Sequence, residues 1–194
     1  MIYCDLDETL IARWQAVIPN EFVAKLTGMP VCRPPVGESG WEIVAFPSGR
    51  KLLVRRRPSA LEFLAALRQL GSVKLLTDAT QQYAETMNAA FGLGFEPSAI
   101  IGREQLDAAG ELGQAHSPVD PEGILIENED PYGEFRVARW RKGWYLGLRS
   151  SEQLIYVPRY DGDDSDRLAA EMPKHVAAVA ALILSDDSKC GHQA

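Results

Sequence analysis

The sequence predicts an α/β fold whose central sheet is mainly parallel. Short apolar segments alternate with segments in which leucines and aromatic residues recur at helical spacing. Three apolar segments run into polar clusters, which are Asp5/Asp7, Thr77/Asp78 and Glu127/Asn128. Because parallel strands end at one edge of a sheet, where such folds bind ligands, we expect the three clusters to lie close together.

The composition is that of a single globular domain. The chain has 194 residues, of which 46% are hydrophobic and 24% charged. Its 20 Lys and Arg against 27 Asp and Glu leave a net charge of −7, so a nucleic-acid partner held through its phosphates is not expected. The acidic start is unlike a signal peptide, and the longest apolar stretch, residues 176–184, is shorter than the roughly 20 residues of a membrane span. We therefore expect a cytoplasmic protein without a membrane partner.

The first part of the chain predicts a strand followed by a flap. Residues 1–4 form a short apolar segment, whereas prolines and glycines break every period in residues 12–40. Residues 41–46 and 51–54 predict two strands joined by a turn. We interpret residues 12–54 as a flap with a small β-hairpin, inserted after the first strand.

A helix, a strand and a second helix are predicted next. Ser59 and Glu62 have the spacing of a capping box, in which the two residues satisfy each other's backbone amides at the start of a helix. This helix should end near Gly71. Residues 73–76 predict a buried strand, and residues 81–91 predict a helix that begins shortly after it.

The second half of the chain predicts three short strands and a helical tail. The strands are predicted at residues 100–101, 124–126 and 154–157. Residues 163–184 have a helical pattern with a break at Pro173, which suits the first position of a second helix. Residues 185–194 predict a disordered tail, so residues 1–184 are expected to form the domain.

Asp5 and Asp7 are separated by one residue at a strand end, and such a pair can cleave a phosphate ester. One carboxylate can attack phosphorus and form an acyl phosphate, while the other gives a proton to the leaving oxygen and then activates water. Two carboxylates repel a phosphate unless a cation lies between them, which implies Mg²⁺. An acidic pair can also be a solvated turn or a helix cap, and the pair alone leaves these alternatives open.

The residues around the pair resemble the haloacid dehalogenase superfamily. Residues 5–10 (Asp-Leu-Asp-Glu-Thr-Leu) are similar to the superfamily's signature in its branch of RNA polymerase C-terminal-domain phosphatases, the NLI-interacting-factor-like group. Residues 57–64, 75–84 and 163–168 resemble later segments of that group in the same order. The resemblance covers about residues 1–184 and implies a Rossmann-like haloacid dehalogenase fold.

The resemblance implies a role for the first two polar clusters. Asp5 would accept the phosphoryl group and bind the metal, and Asp7 would be the acid and base, with its backbone carbonyl as a second metal ligand. Thr77 would hydrogen-bond a phosphoryl oxygen, with the backbone amide of Asp78 as a further donor. Thr77 could instead cap the next helix, a role open also to Thr80 or Asp78.

The third cluster and the basic residues depart from the family pattern. Asn128 matches a metal-binding position. Glu127, which stands where the family usually has Asp, would bind the metal directly or through a water. The family's lysine is missing, since residues 75–135 contain none. Arg103 could bind the phosphate in its place, because a guanidinium can hold a phosphate with two hydrogen bonds. His116 is a second candidate.

The resulting hypothesis is a magnesium-dependent phosphatase. Its phosphorylated substrate would be a phosphoserine or phosphothreonine protein, or else a small phosphoester or a nucleic-acid end. A catalytically silent binding protein with the same fold and a phosphotransferase are alternatives, and the oligomeric state is not indicated. The arginines at residues 55–57 could guide an anionic substrate, but we interpret them as solvated side chains at a strand end.

Overall fold

The computed structural model of this protein describes residues 1–14, 40–112, 117–128, 153–162 and 166–190. The described residues contain eight strands: β1 (Ile2–Cys4), β2 (Ile11–Arg13), β3 (Trp41–Ala45), β4 (Lys51–Arg56), β5 (Val73–Leu76), β6 (Ile100–Ile101), β7 (Ile124–Asn128) and β8 (Leu154–Val157). They also contain four α-helices: α1 (Ala60–Leu70), α2 (Gln81–Phe91), α3 (Arg103–Leu112) and α4 (Arg167–Cys190).

Five strands form the central sheet, in the order β6-β5-β1-β7-β8, and every neighbouring pair is parallel. Strand β1 is in the middle and is completely buried, with Cys4 beside Leu75 of β5 and Ile126 of β7. The predicted α/β fold with a mainly parallel sheet is therefore confirmed. The residues that follow β1, β5 and β7 come to the same edge of the sheet.

A second, antiparallel sheet contains three strands in the order β2-β4-β3. Strands β3 and β4 form a hairpin, with Val44 opposite Leu52. Its turn contains Gly49 at φ 82°, a backbone conformation that glycine adopts without strain. The predicted β-hairpin after the first strand is confirmed, while residues 15–39 of the predicted flap lie outside the described residues.

Helix α1 forms where it was predicted, but the capping box does not. Phe63, Leu64 and Leu67 are completely buried. Ser59 is the N-cap residue and its side chain makes no cap hydrogen bond. Its backbone amide donates to Asp166 at 2.7 Å, so a carboxylate from the start of α4 replaces the predicted partner.

Helix α4 runs without a break through Pro173, and the predicted division into two helices is wrong. Its buried residues Leu168, His175 and Val179 lie on one face on both sides of the proline, so both halves pack against the core as one continuous helix. The helix also continues to Cys190, past the expected boundary at residue 184.

The apolar segment of helix α4 is longer than the sequence analysis expects. Residues 167–185 are long and apolar enough to cross a membrane by length and composition alone, with a mean hydropathy of 1.3, and 17% of that window is buried. The apolar stretch expected from the sequence, residues 176–184, is shorter than this segment because it includes only uninterrupted apolar residues. The core helix of a soluble protein, which is mostly buried, meets the same criterion of length and composition. The absence of a membrane partner therefore stays a prediction.

Candidate active site

The ends of three central strands bring the predicted clusters to one edge. Asp5 follows β1, is 4% exposed, and donates its backbone N–H to the carbonyl of Ile126 at 3.0 Å. Thr77 follows β5 and donates its backbone N–H to Ile101 at 3.0 Å. Glu127 and Asn128 are the last two residues of β7, and both are buried.

A tight loop after β1 directs a hydroxyl to the Asp5 carboxylate. The backbone amides of Leu10 and Ile11 both donate to the carbonyl of Leu6, which folds the chain back on itself. The loop places Thr9, which is completely buried, where its Oγ1 donates to Oδ2 of Asp5 at 3.2 Å. Asp5 is thus a buried carboxylate held in a defined orientation.

Asp7 has a different environment, because two donors meet on one of its oxygens. The Tyr83 hydroxyl donates to Asp7 Oδ1 at 2.6 Å, and Nε of Arg13 lies 3.0 Å from the same oxygen. Burial raises the pKa of Tyr83 far above its ordinary value, and the charge of Asp7 raises it further. The phenol therefore stays protonated and remains a donor at neutral pH.

Glu8 connects the loop after β1 to the Asn128 side chain. Oε2 of Glu8 accepts from Nδ2 of Asn128 at 3.3 Å, and Oε1 lies 3.1 Å from Nη2 of Arg159. Burial raises the pKa of Glu8, although the charge of Arg159 opposes this. With its nitrogen directed at Glu8, the Asn128 amide has its oxygen on the opposite side.

The two threonines after β5, which the sequence could not distinguish, have different roles in the structure. Thr80 caps α2, because its hydroxyl accepts the backbone N–H of Tyr83 at 3.2 Å. Thr77 is 2% exposed, and its Oγ1 accepts the amide of Ala79 at 3.1 Å. The helix cap is therefore Thr80, and the hydroxyl proton of Thr77 can still be donated.

Arg103 lies on the same loop region. Its Nε donates to the carbonyl of Asp78 at 2.7 Å, and its backbone N–H donates to Ala79 at 2.8 Å. The side chain is exposed and begins at the edge that also bears Thr77. His116, the other predicted candidate, lies outside the described residues.

The interpretation of the arginines at residues 55–57 as solvated is wrong. Arg55 and Arg56 are half-buried and donate to the carbonyls of Gly162 at 2.8 Å and Phe91 at 2.9 Å, and Arg57 departs furthest from it. The side chain is completely buried and donates to Asp166 at 2.9 Å, to the carbonyl of Thr9 at 3.0 Å and to that of Pro158 at 2.7 Å. Burial lowers its pKa, although Asp166 opposes this. Arg57 therefore stabilises the loop that contains Thr9.

The site offers ligands of the type that Mg²⁺ prefers. The Asp5 carboxylate, the backbone carbonyl of Asp7 and the Asn128 amide oxygen are hard oxygen donors. Among the described residues no three His, Cys, Asp or Glu side chains come together as a metal site. Mg²⁺ does not need such a site, because it keeps several waters and takes one or two carboxylates together with substrate phosphate. The residues present therefore fit this ion.

Comparisons with known proteins give similarity at the level of structure. No protein-family model matches the sequence. No curated protein matches it either. Among solved structures, the chain is similar to a variant of the fission yeast RNA polymerase II CTD phosphatase Fcp1 bound to beryllium fluoride, with 18% identity and a TM-score of 0.48, over 96% of this chain and 54% of that one.

A second solved structure, of Fcp1 described as an essential RNA polymerase II CTD phosphatase, has 20% identity and a TM-score of 0.47 over 94% of this chain and 48% of that one. The chain thus spans about half the length of both structures. They belong to the kind of phosphatase that the sequence motifs resemble. At this level of similarity the match says nothing about the site, the activity or the partners of this chain.

Proposed function

We propose that this protein is a magnesium-dependent phosphatase that hydrolyses a phosphomonoester through an aspartyl phosphate on Asp5. The observation that carries the proposal is the difference between the two neighbouring carboxylates. Asp5 is buried and oriented by Thr9, whereas Asp7 is bound through Oδ1 to Tyr83 and Arg13. Two carboxyl groups in unequal environments are suited to the separate roles of nucleophile and acid–base.

The proposed reaction has two steps, and in the second Asp7 regains a proton in place of the one that it gives in the first. An oxygen of Asp5 attacks phosphorus, the bond from phosphorus to the ester oxygen breaks, and that oxygen takes a proton from Asp7 as the alcohol leaves. Water then attacks phosphorus, Asp7 takes a proton from it, and the bond from phosphorus to Asp5 breaks. Inorganic phosphate is released, and both carboxyl groups return to their starting states.

Donors at the edge of the sheet are suited to holding the phosphoryl oxygens during these steps. The Thr77 hydroxyl, the backbone amide of Asp78 and the guanidinium of Arg103 are the proposed donors. Mg²⁺, held by Asp5, the carbonyl of Asp7 and Asn128, would neutralise charge between the carboxylates and the phosphate. Glu127, buried beside Asn128, is the proposed fourth residue of the metal site.

The substrate we propose is a phosphoserine or phosphothreonine protein. Support for this class comes from the sequence motifs that resemble C-terminal-domain phosphatases. A phosphoserine peptide compared with small phosphoesters at equal concentration tests it. A higher kcat/KM for the peptide is expected, and a preference for a small phosphoester would replace the protein substrate by a metabolite.

The test of the activity is hydrolysis of p-nitrophenyl phosphate with Mg²⁺ by the native chain and by Asp5→Asn. The matched control is Asp120→Asn, because Asp120 precedes β7 at the opposite edge of the sheet. We expect turnover that EDTA and Asp5→Asn abolish and that Asp120→Asn retains. No turnover of any phosphoester by a folded protein that binds Mg²⁺ would favour a silent binding protein instead.

A further inference from the structure

We propose that Tyr83 and Arg13 are positioning residues for Asp7 and that they hold its carboxyl group in the orientation that proton transfer needs. The inference rests on the proposed function, in which Asp7 is the acid and base. It concerns two side chains that the sequence motifs give no role.

The two residues reach Asp7 from different parts of the fold. Arg13 is the last residue of β2 in the antiparallel sheet, whereas Tyr83 lies in the first turn of α2 beside the parallel sheet. Their donor atoms lie 3.0 Å and 2.6 Å from Oδ1 of Asp7. The carboxyl group is therefore held between the antiparallel sheet and helix α2.

The ring of Tyr83 is itself fixed. Phe46, at the turn of the β3–β4 hairpin, stacks on it with ring centroids 5.7 Å apart and the planes 7° from parallel. The guanidinium carbon of Arg13 lies 5.5 Å from the centre of the same ring, an arrangement that favours a cation. Only 8% of Tyr83 is exposed, so its hydroxyl has a defined direction toward Asp7.

This geometry distinguishes the two oxygens of the carboxyl group. Oδ1 accepts from a phenol and a guanidinium, and it cannot bind a proton without losing one of these hydrogen bonds. The two donors on Oδ1 therefore fix the orientation of the whole carboxyl group. Substitutions that release Oδ1 let the group rotate and misplace the proton, which matters most when the leaving oxygen needs one.

The test compares two esters whose leaving groups differ in that need. An alkyl phosphate requires protonation of its leaving oxygen, whereas p-nitrophenolate leaves without it. We expect Tyr83→Phe, which keeps the stacked ring, to lower kcat/KM for the alkyl ester roughly tenfold or more and for p-nitrophenyl phosphate about threefold or less. Arg13→Gln should show the same selectivity. Tyr156→Phe and Arg50→Gln, at exposed positions, are the matched controls.

The outcomes for this inference and for the proposed function are distinct. An equal loss on both esters, or no loss, overturns the positioning role while the native turnover upholds the phosphatase. A native chain that hydrolyses neither ester overturns the phosphatase.

A second readout does not depend on turnover. Tyr83→Phe should lower the urea midpoint of unfolding in the native background and change it much less in an Asp7→Ala background. An equal shift in the two backgrounds contradicts the contact and overturns the inference.

Discussion

The hydroxyl of Thr9 donates to Oδ2 of Asp5 at 3.2 Å, and both residues are almost completely buried. Arg57 stabilises the loop that brings them together, because it donates to the Thr9 carbonyl. A hydrogen bond to a charged group contributes about 1.5–3 kcal/mol, more than one between neutral groups. Thr9 is therefore expected to orient the proposed nucleophile and not only to fill space.

Replacing Thr9 by Val keeps the shape of the side chain and removes the donor. We expect kcat for p-nitrophenyl phosphate to fall about tenfold to a hundredfold, because the carboxylate loses its orientation. Thr9→Ser restores the hydroxyl and should recover most of the rate. Thermal unfolding of each variant checks that the protein is folded. A Thr9→Val protein as fast as the native chain would show that Asp5 needs no such donor.

Substitutions of the two threonines after β5 should have different effects, one on activity and the other on stability. Thr77→Val removes a proposed donor to the phosphoryl group, and we expect kcat to fall about a hundredfold with little loss of stability. Thr80→Val removes the cap of α2 and should cost about 1 kcal/mol of unfolding free energy while most of the activity remains. Steady-state kinetics and urea unfolding measure both. The reverse pattern would assign Thr77 a structural role.

The contact between Glu8 and Asn128 should affect metal binding. Glu8→Ala removes the acceptor that orients the Asn128 amide, and we expect Mg²⁺ affinity to weaken about tenfold to a hundredfold. Asn128→Ala should weaken it at least as much, whereas Glu122→Ala, at an exposed turn, is the control. Calorimetric titration without substrate gives the affinity directly. Unchanged affinity in both variants would remove Asn128 from the metal site.

The ion pair of Arg57 and Asp166 gives a prediction for stability against pH. Burial acts to raise the pKa of Asp166, but hydrogen bonds from Ser59 and Arg57 outweigh it and lower the pKa below the ordinary 3.8. The stabilisation is therefore present above that value and is lost as pH falls through the folded-state pKa. Asp166→Ala leaves a buried guanidinium unpaired and should cost about 3 kcal/mol at neutral pH.

Urea unfolding over a range of pH measures this difference. The gap between the native chain and Asp166→Ala should narrow as the pH falls below about 4. Glu62→Ala, which removes an exposed carboxylate on α1, should change stability little at any pH. A gap that stays constant down to acid pH contradicts the role of the ionised Asp166.

The fold was accessible from the sequence because its signals are local. Apolar periodicity located the central strands, and Gly92 in the left-handed conformation ends α2 as its position indicates. Two features depended on distant residues and could not be predicted. The carboxylate of Asp166 accepts the Ser59 backbone amide from a distant part of the chain, and α4 continues through Pro173 with one face packed on the core.

Only part of the candidate site could be predicted from the sequence. The clusters at the ends of β1, β5 and β7 come to the same edge of the sheet, since these strands are parallel neighbours. The sequence did not indicate Arg13, Tyr83 or Arg159 as partners of the acidic loop, because each reaches it from a separate element. The family pattern directs attention to a lysine within residues 75–135, and basic side chains before and after that segment contact the carboxylates instead.

The most direct measurement is the capture of a phosphoryl group on Asp5. The native chain is mixed with ³²P-labelled substrate and Mg²⁺ and quenched with acid during turnover. The account predicts protein-bound label that hydroxylamine releases, as for an acyl phosphate, that maps to the peptide of residues around Asp5, and that is absent in Asp5→Asn. Turnover without label in the native chain, or label that persists in Asp5→Asn, would contradict it.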